Sequence, residues 1–255
     1  GSMSLAHACQ EPVSMMESGP VAGMIAAGQV ARLLGHTQAI GFDMGGTTAK
    51  ATLIVDGVPA IEEGYYIGGY ASGQPMQLPV VAIIEVGAGG GSIAWLDDGG
   101  ALRTGPMSAG ASPGPAAYGR GGVRPTVTDA HVVLGTIAPG EWSGGVTISL
   151  EKARTAVDTI AAPLGVSRER AADAIIATAD ATMARALRRV SVERGVDPRD
   201  VPLIAFGGGG PLHACGLAER LGMRQVIVPP HAGVRVAQRP ADEVRGEGFQ
   251  PLQRP

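Results

Sequence analysis

The sequence predicts an α/β fold, a mixed sheet flanked by helices, and three observations carry that prediction. Short apolar runs such as "AIGF", "ATLIV" and "LIAF" occur in a chain that also has stretches of helical periodicity, at 18–35 and 168–194. Glycine clusters lie where a run ends, at 45–46, 87–91 and 207–210. The last third reads strand, glycine loop, helix, strand, the order of a parallel pair joined by a helical crossover.

Composition sets the frame for that fold. A chain of 255 residues makes one large domain or two small ones, and 45% hydrophobic content supplies a core. Aromatics are only 4%, so Val, Ile, Leu and Ala must fill it. Net charge is −3 with no basic stripe, which argues against nucleic acid as a partner. No apolar run approaches the ~18 residues of a spanning helix, so no membrane partner is expected. Two cysteines, Cys9 and Cys215, make no disulfide framework, and a cytoplasmic, reducing setting is the expectation. The opening Gly-Ser-Met reads as a tag-cleavage scar.

Taken in order, residues 18 to 35 form a helix, with Ser18 as N-cap, Pro20 in the first turn and Gly35 as stop. Residues 38–43 and 50–55 are two strands joined by Gly-Gly-Thr-Thr. "VVAIIEV", 80–86, reads as a third strand buried on both faces, and "IAWL" as a fourth. Residues 98 to 125 read as a long irregular loop. "TVTDAHVV" reads as extended, with Asp129 and His131 on one side. Helices follow over 150–162 and 168–194, the second capped by Ser167 and ended by Gly195. "VPLIAF" is a strand, a helix runs from Pro211 to Leu221, and "QVIVPP" is the last strand.

Two loops carry candidate chemistry. In "FDMGGTTAK" the turn Gly45, Gly46, Thr47, Thr48 offers backbone N–H groups and hydroxyls to an anion, with Asp43 set to hold Mg²⁺. That suits the phosphates of ATP; the same residues also make an ordinary tight turn. In "AFGGGGPLHA" the glycines Gly207, Gly208, Gly209 and Gly210 open a helix, whose N-terminus favours a phosphate or a flat ligand. No Gly-Lys-Ser/Thr follows and no G-x-G-x-x-G unit is present, so Walker and Rossmann readings fit poorly.

The pair "GFDMGGTTAKA" and "AFGGGGPLHACGLAERLG" resembles the hydantoinase A/5-oxoprolinase family. So do "SGPVAG", "EVGAGGGSIAWLDDGGALRTGPMSAGASPGPAAYGRGG", "PTVTDAHVVLG" and "SVERGVDPRD", in order from about Glu17 to Val234. The resemblance implies an actin-like, sugar-kinase-like ATPase lobe of the ribonuclease H-like type over residues 17–234, after an N-terminal segment 1–16 and before a tail 235–255. It implies ATP and Mg²⁺ as cofactors, Asp43 to Thr48 as the second phosphate motif and Gly207 to Gly210 as the adenosine motif. It further implies ATP-coupled ring opening of a small cyclic amide such as a hydantoin or 5-oxoproline. The alternatives are an ATP-dependent ketone carboxylase subunit and a non-catalytic binding or assembly module. The family normally has a preceding lobe with another such hairpin. The chain is therefore expected to be a second lobe, completed by that lobe or a partner subunit, with an exposed cleft side suited to self-association.

Lys50 is one of only two lysines, and it has two readings: a catalytic cation facing phosphate or substrate, or a strand lysine in a salt bridge. Where the family commonly has Cys in "PGPACYGRGG", this chain has Ala117. "VGAGGGS" is either an anion-binding nest or a glycine-built bend. Asp129 and His131 are either two metal ligands, too few for a closed site, or a backbone cap and a packed histidine, and the second is expected. His213 either contacts nucleotide or packs, with packing expected, and Cys215 is expected to fill core. Arg185, Arg188 and Arg189 share one helical face, expected to be solvated or lobe-contacting and not an anion site. The 43–48 hairpin and the 207–210 loop should meet on one sheet edge, since two loops of one site must converge.

Overall fold

The computed structural model describes residues 4–15, 18–67, 73–142, 145–230 and 232–233. The chain opens with α1 (Leu5–Gln10), α2 (Ser18–Leu33), β1 (Gln38–Met44), β2 (Ala49–Val55) and β3 (Val58–Pro59). Next come β4 (Ile61–Ile67), β5 (Gln74–Val81), β6 (Ile84–Val86), β7 (Ser92–Leu96) and β8 (Leu102–Ser108). Then follow α3 (Val127–Val133), β9 (Gly140–Trp142), β10 (Val146–Ile148), α4 (Leu150–Leu164) and α5 (Arg168–Ser191). β11 (Leu203–Phe206), α6 (Gly210–Leu221) and β12 (Val226–Ile227) end the described elements.

The central sheet runs β12-β11-β1-β2, with β3 and β6 both on the outer edge of β2. β1 pairs parallel with β11, and β11 with β12, while β1 and β2 form an antiparallel hairpin. The sheet is therefore mixed, and its strands alternate as period two requires. Ile40, Phe42, Met44, Ala51, Leu53, Leu203 and Ala205 pack with Ile175, Met183 and Leu187 of α5 and Leu217 of α6. Ala39, Ile54, Ile204 and Phe206 point the other way, onto Met24, Ala27, Val30 and Ala31 of α2. The same alternation puts Asp43 and Lys50, directly paired across the hairpin, at one end of the α2 face.

Three segments differ from the sequence reading. "VVAIIEV" is not one strand buried on both faces. β5 ends at Val81 in a separate hairpin with β4, and β6 pairs with β2 with its residues only partly covered. The outer edge of β2 takes both β3 and β6 because β3 pairs with Ile54 and Val55 and β6 with Ala49 to Ala51, and in the gap Thr52 Oγ1 donates to Ala82 O at 2.7 Å. The 98–125 segment contains β8, which pairs with β7, so the irregular stretch is shorter than composition suggested. "TVTDAHVV" is helical, because Thr126 and Asp129 form a reciprocal capping box: Asp129 N donates to Thr126 Oγ1, and Thr126 N to Asp129 Oδ2. Its β-branched residues favour a strand, and the box overrides them. Residues 235–255, read as a tail, lie outside the described residues.

Candidate functional site

At the tip of the β1–β2 hairpin, Gly45 N donates to Thr48 O at 3.0 Å, and the turn projects from the sheet. Gly45, Gly46 and Thr47 are exposed. The amides of Gly46, Thr47 and Thr48 have no acceptor among the described residues, so three unpartnered donors remain in one turn. Asp43 is half-buried just behind them, and no donor among the described residues bonds its carboxylate. Burial pushes that carboxyl above its ordinary value, with Lys50 pulling it partly back.

The glycine loop after β11 lies against this tip. Asp43 pairs with Phe206 in the parallel register, so the chain leaves β11 beside the Asp43 carboxylate. Gly207 has φ of +79°, and a Cβ there would strike Asp43 Oδ1 and lie 2.6 Å from Met44 O. Only glycine meets both demands. Gly209 N then donates to Met44 O at 2.8 Å, fastening the two loops together. Gly208 is exposed with open space where a side chain would lie. α6 starts at Gly210 without a side-chain cap, so no side chain of its own N-cap meets the positive end of its dipole. The expected convergence on one sheet edge is met.

Sequence reasoning leaves Lys50 with two readings, and the structure shows an ion pair. Lys50 Nζ lies 2.8 Å from Glu85 Oε1 on β6 and donates to Thr48 Oγ1 at 2.9 Å. Partial burial works to raise the Glu85 carboxyl, but hydrogen bonds from Lys50 and Thr48 outweigh it and hold it below its ordinary value. The pair fixes the Thr48 side chain at the tip. Glu85 is missed by sequence reasoning, because its role depends on β6 pairing with β2 in the register Lys50 to Glu85.

The "VGAGGGS" loop is a bend and not a nest. Gly90 N donates to Gly45 O and Gly91 N to Gly46 O, while Gly89 N donates to Ser92 Oγ. The amides of residues 88–92 thus have partners, and two of them bond the hairpin tip. A Cβ on Gly89 would lie 2.5 Å from the Thr47 carbonyl carbon, so the loop can approach this closely only as glycine.

Asp129 caps as expected. It accepts from Ala117 N at 2.7 Å, and from Ala116 N, Thr126 N and Thr126 Oγ1. His131 and His213 are buried but polar: His213 Nδ1 lies 2.6 Å from Asp180 Oδ1, and the two Nε2 atoms are 3.2 Å apart. Asp180 is also missed by sequence reasoning. Its signal is an acid set beside the buried Ala179, Met183 and Ala184 of α5. Arg188 and Arg189 are on the solvent side as expected, bonded to Arg220 O and Glu193. Cys215 is exposed, contrary to the core role expected of it, because its turn of α6 faces outward between buried Ala214 and Leu217.

No helix among the described residues is long and apolar enough to cross a membrane. Residues 1–238 match the hydantoinase/oxoprolinase family. The caprolactamase subunit alpha of Pseudomonas jessenii is 44% identical over 86% of the chain and 31% of its own length. The solved structure of that ATP-dependent caprolactamase superposes with a TM-score of 0.74, covering 84% of this chain and 30% of the other. The acetophenone carboxylase gamma subunit of Aromatoleum aromaticum is 41% identical over 78% of the chain and 27% of its own length. Nucleotide-free acetone carboxylase superposes with a TM-score of 0.75 at 33% identity, covering 86% of this chain and 31% of that one. The chain thus spans about a third of the length of these relatives. With the match running from end to end of the described sheet and through both glycine loops, the chain belongs to the hydantoinase/oxoprolinase family.

Proposed function

We propose that the 43–48 hairpin and the 207–210 loop are the phosphate and nucleoside sides of one ATP site, and that the fold is one lobe of an actin-like ATPase. A single arrangement carries this reading. Three unpartnered amides, an uncapped helix start and an unbonded carboxylate meet at one sheet edge. The amides of Gly46, Thr47 and Thr48 supply donors for phosphate oxygens, and the α6 dipole adds positive potential. Gly208 leaves room for a flat ring against backbone. Asp43 fits Mg²⁺, a hard cation that takes carboxylate and water oxygens; when bound, the ion neutralises phosphate charge. Lys50 acts from behind, holding Thr48 through its pair with Glu85.

The activity that fits this site and the similar caprolactamase is ATP-dependent opening of a small cyclic amide ring, in a protein where a further lobe or partner subunit covers the nucleotide. The likeness to acetone carboxylase supports a second reading, an ATP-dependent ketone carboxylase subunit. Calorimetry with Mg-ATP on the wild-type chain and on Asp43→Asn tests the site. Binding heat that needs both Mg²⁺ and Asp43 is expected, and equal heats for the two proteins would sink the assignment. ATP turnover by the intact protein with hydantoin, 5-oxoproline or caprolactam, against acetone or acetophenone with bicarbonate, separates the two activities.

A further inference from the structure

α3 is only seven residues long, yet it is bonded to both loops. Toward the hairpin, Thr128 N and Thr128 Oγ1 both donate to Gly90 O at 2.8 Å, and Gly90 N donates to Gly45 O at 3.1 Å. One turn further along α3, His131 Nε2 lies 3.2 Å from His213 Nε2, in the first turn of α6. The rings meet edge to face, 4.8 Å between centroids and 85° between planes. His213 Nδ1 is fixed by Asp180 Oδ1 of α5 at 2.6 Å, and His131 Nδ1 by Thr136 Oγ1 at 2.7 Å. Gly209 N, donating to Met44 O, closes the circuit at the loops themselves.

All three titratable groups are buried, with 3% of His131, 1% of His213 and 5% of Asp180 exposed. Such groups are costly to bury, and apolar side chains of like volume would pack the same space at least as stably. What they supply that apolar groups cannot is direction. Each ring nitrogen has one partner. Thr136 Oγ1 gives its proton to His131 O and so accepts from His131 Nδ1, which leaves His131 Nε2 to accept from His213 Nε2 and fixes both the spacing of α3 and α6 and the rotation of each ring.

We propose that His131 and His213, anchored by Asp180, are positioning residues. Their Nε2–Nε2 hydrogen bond holds the start of α6, and with it the Gly207–Gly210 loop, in register with the hairpin tip that Thr128 supports through Gly90. The consequence for ligand binding rests on the nucleotide reading above; the mechanical link does not.

Hydrogen exchange on the ligand-free chain tests the link, with peptides covering 43–50, 205–213 and, as control, 150–164. In His213→Asn the side-chain amide can keep the Asp180 contact while the bond to His131 is lost. Exchange over 205–213 should rise about tenfold with α4 unchanged, since the opening is local. His131→Leu should do the same. His131→Gln, whose amide oxygen can accept at the Nε2 position, should restore wild-type protection. If His213→Asn does not fold, the two His131 variants decide the matter by themselves. Wild-type protection in His131→Leu, or an equal rise in α4, would overturn the proposal and leave the cluster as ordinary packing. Mg-ATP calorimetry on the same proteins keeps the two ideas apart. A wild-type chain that binds no nucleotide defeats the site assignment, whereas the exchange pattern alone decides the link. If nucleotide does bind, affinity should fall in His131→Leu and return in His131→Gln.

Discussion

Asp43 has a cost that its position explains. Its carboxyl is raised by burial, so the folded chain holds the proton to higher pH than the unfolded one. The stability tied to that group is therefore present at low pH and is lost as pH rises through the folded value. At neutral pH the ionised, unbonded carboxylate works against the ligand-free fold. Asp43→Asn should then raise the melting temperature of the ligand-free chain, by about 1–3 °C, while removing Mg-dependent binding. A lower melting temperature would mean that Asp43 makes a stabilising contact in the ligand-free fold. The glycines beside it divide the same way. Gly207→Ala meets a left-handed backbone, the Asp43 carboxylate and Met44 O, and should cost about 1–3 kcal/mol in urea unfolding. Gly208→Ala meets open space, so it should change stability by less than about 0.5 kcal/mol and yet weaken nucleotide binding. Both glycines are legible in the sequence as one cluster. Their different duties are not, because that difference depends on how closely Met44 and Asp43 approach.

The hairpin and the α6 start are readable because each is local: alternating strands around Gly-Gly-Thr-Thr, and a strand running through glycines into a helix. α3 reads wrongly for a local reason too, since Thr126 and Asp129 spell a capping box among residues that favour strands. Lys50 shows the other limit. Its residue type and place in β2 are visible, but its partner Glu85 lies 35 residues away, on a short strand that the apolar pattern runs together with the end of β5. α3 also gives the fold a pH dependence. Burial, with the neighbouring His213 charge, pushes His131 down to about 3 from an ordinary 6.5. Between those values the unfolded chain binds a proton that the folded chain refuses, so this stability is present above about pH 6.5 and lost as pH falls toward 3. Urea midpoints measured from pH 7 down to about 4.5 should fall, with a limiting slope of about 1.4 kcal/mol per pH unit from this one group. His131→Gln should flatten that slope, and an unchanged slope would assign the acid sensitivity to other groups. Asp129, on the same helix, is raised by burial despite its four hydrogen bonds, so it pulls in the opposite direction and does not produce this fall.

At the scale of the whole molecule, the candidate site is one-sided. Gly45, Gly46, Thr47 and Gly208 are all exposed, so a ligand seated on them is covered by the described residues from the sheet edge alone. Amide donors and a helix dipole in contact with water are screened, and they gain strength only when the site is closed over. This chain alone should therefore bind Mg-ATP weakly, with a Kd of about 1 mM, which corresponds to only about 4 kcal/mol. It should also show no measurable hydrolysis, because phosphoryl chemistry depends on stabilising charge from more than one side. The caprolactamase subunit and the acetone carboxylase chain that it matches are about three times its length, which leaves room for the covering surface elsewhere in such a protein. The comparison that decides this is titration of the 255-residue chain beside a longer protein that joins it to the remaining part of a close relative such as the caprolactamase subunit. Tighter binding and hydrolysis should appear together in the longer protein, and Asp43→Asn should abolish both. Micromolar binding with turnover by the short chain would show that this sheet edge needs no second face, and that its exposed loops close over the nucleotide by themselves.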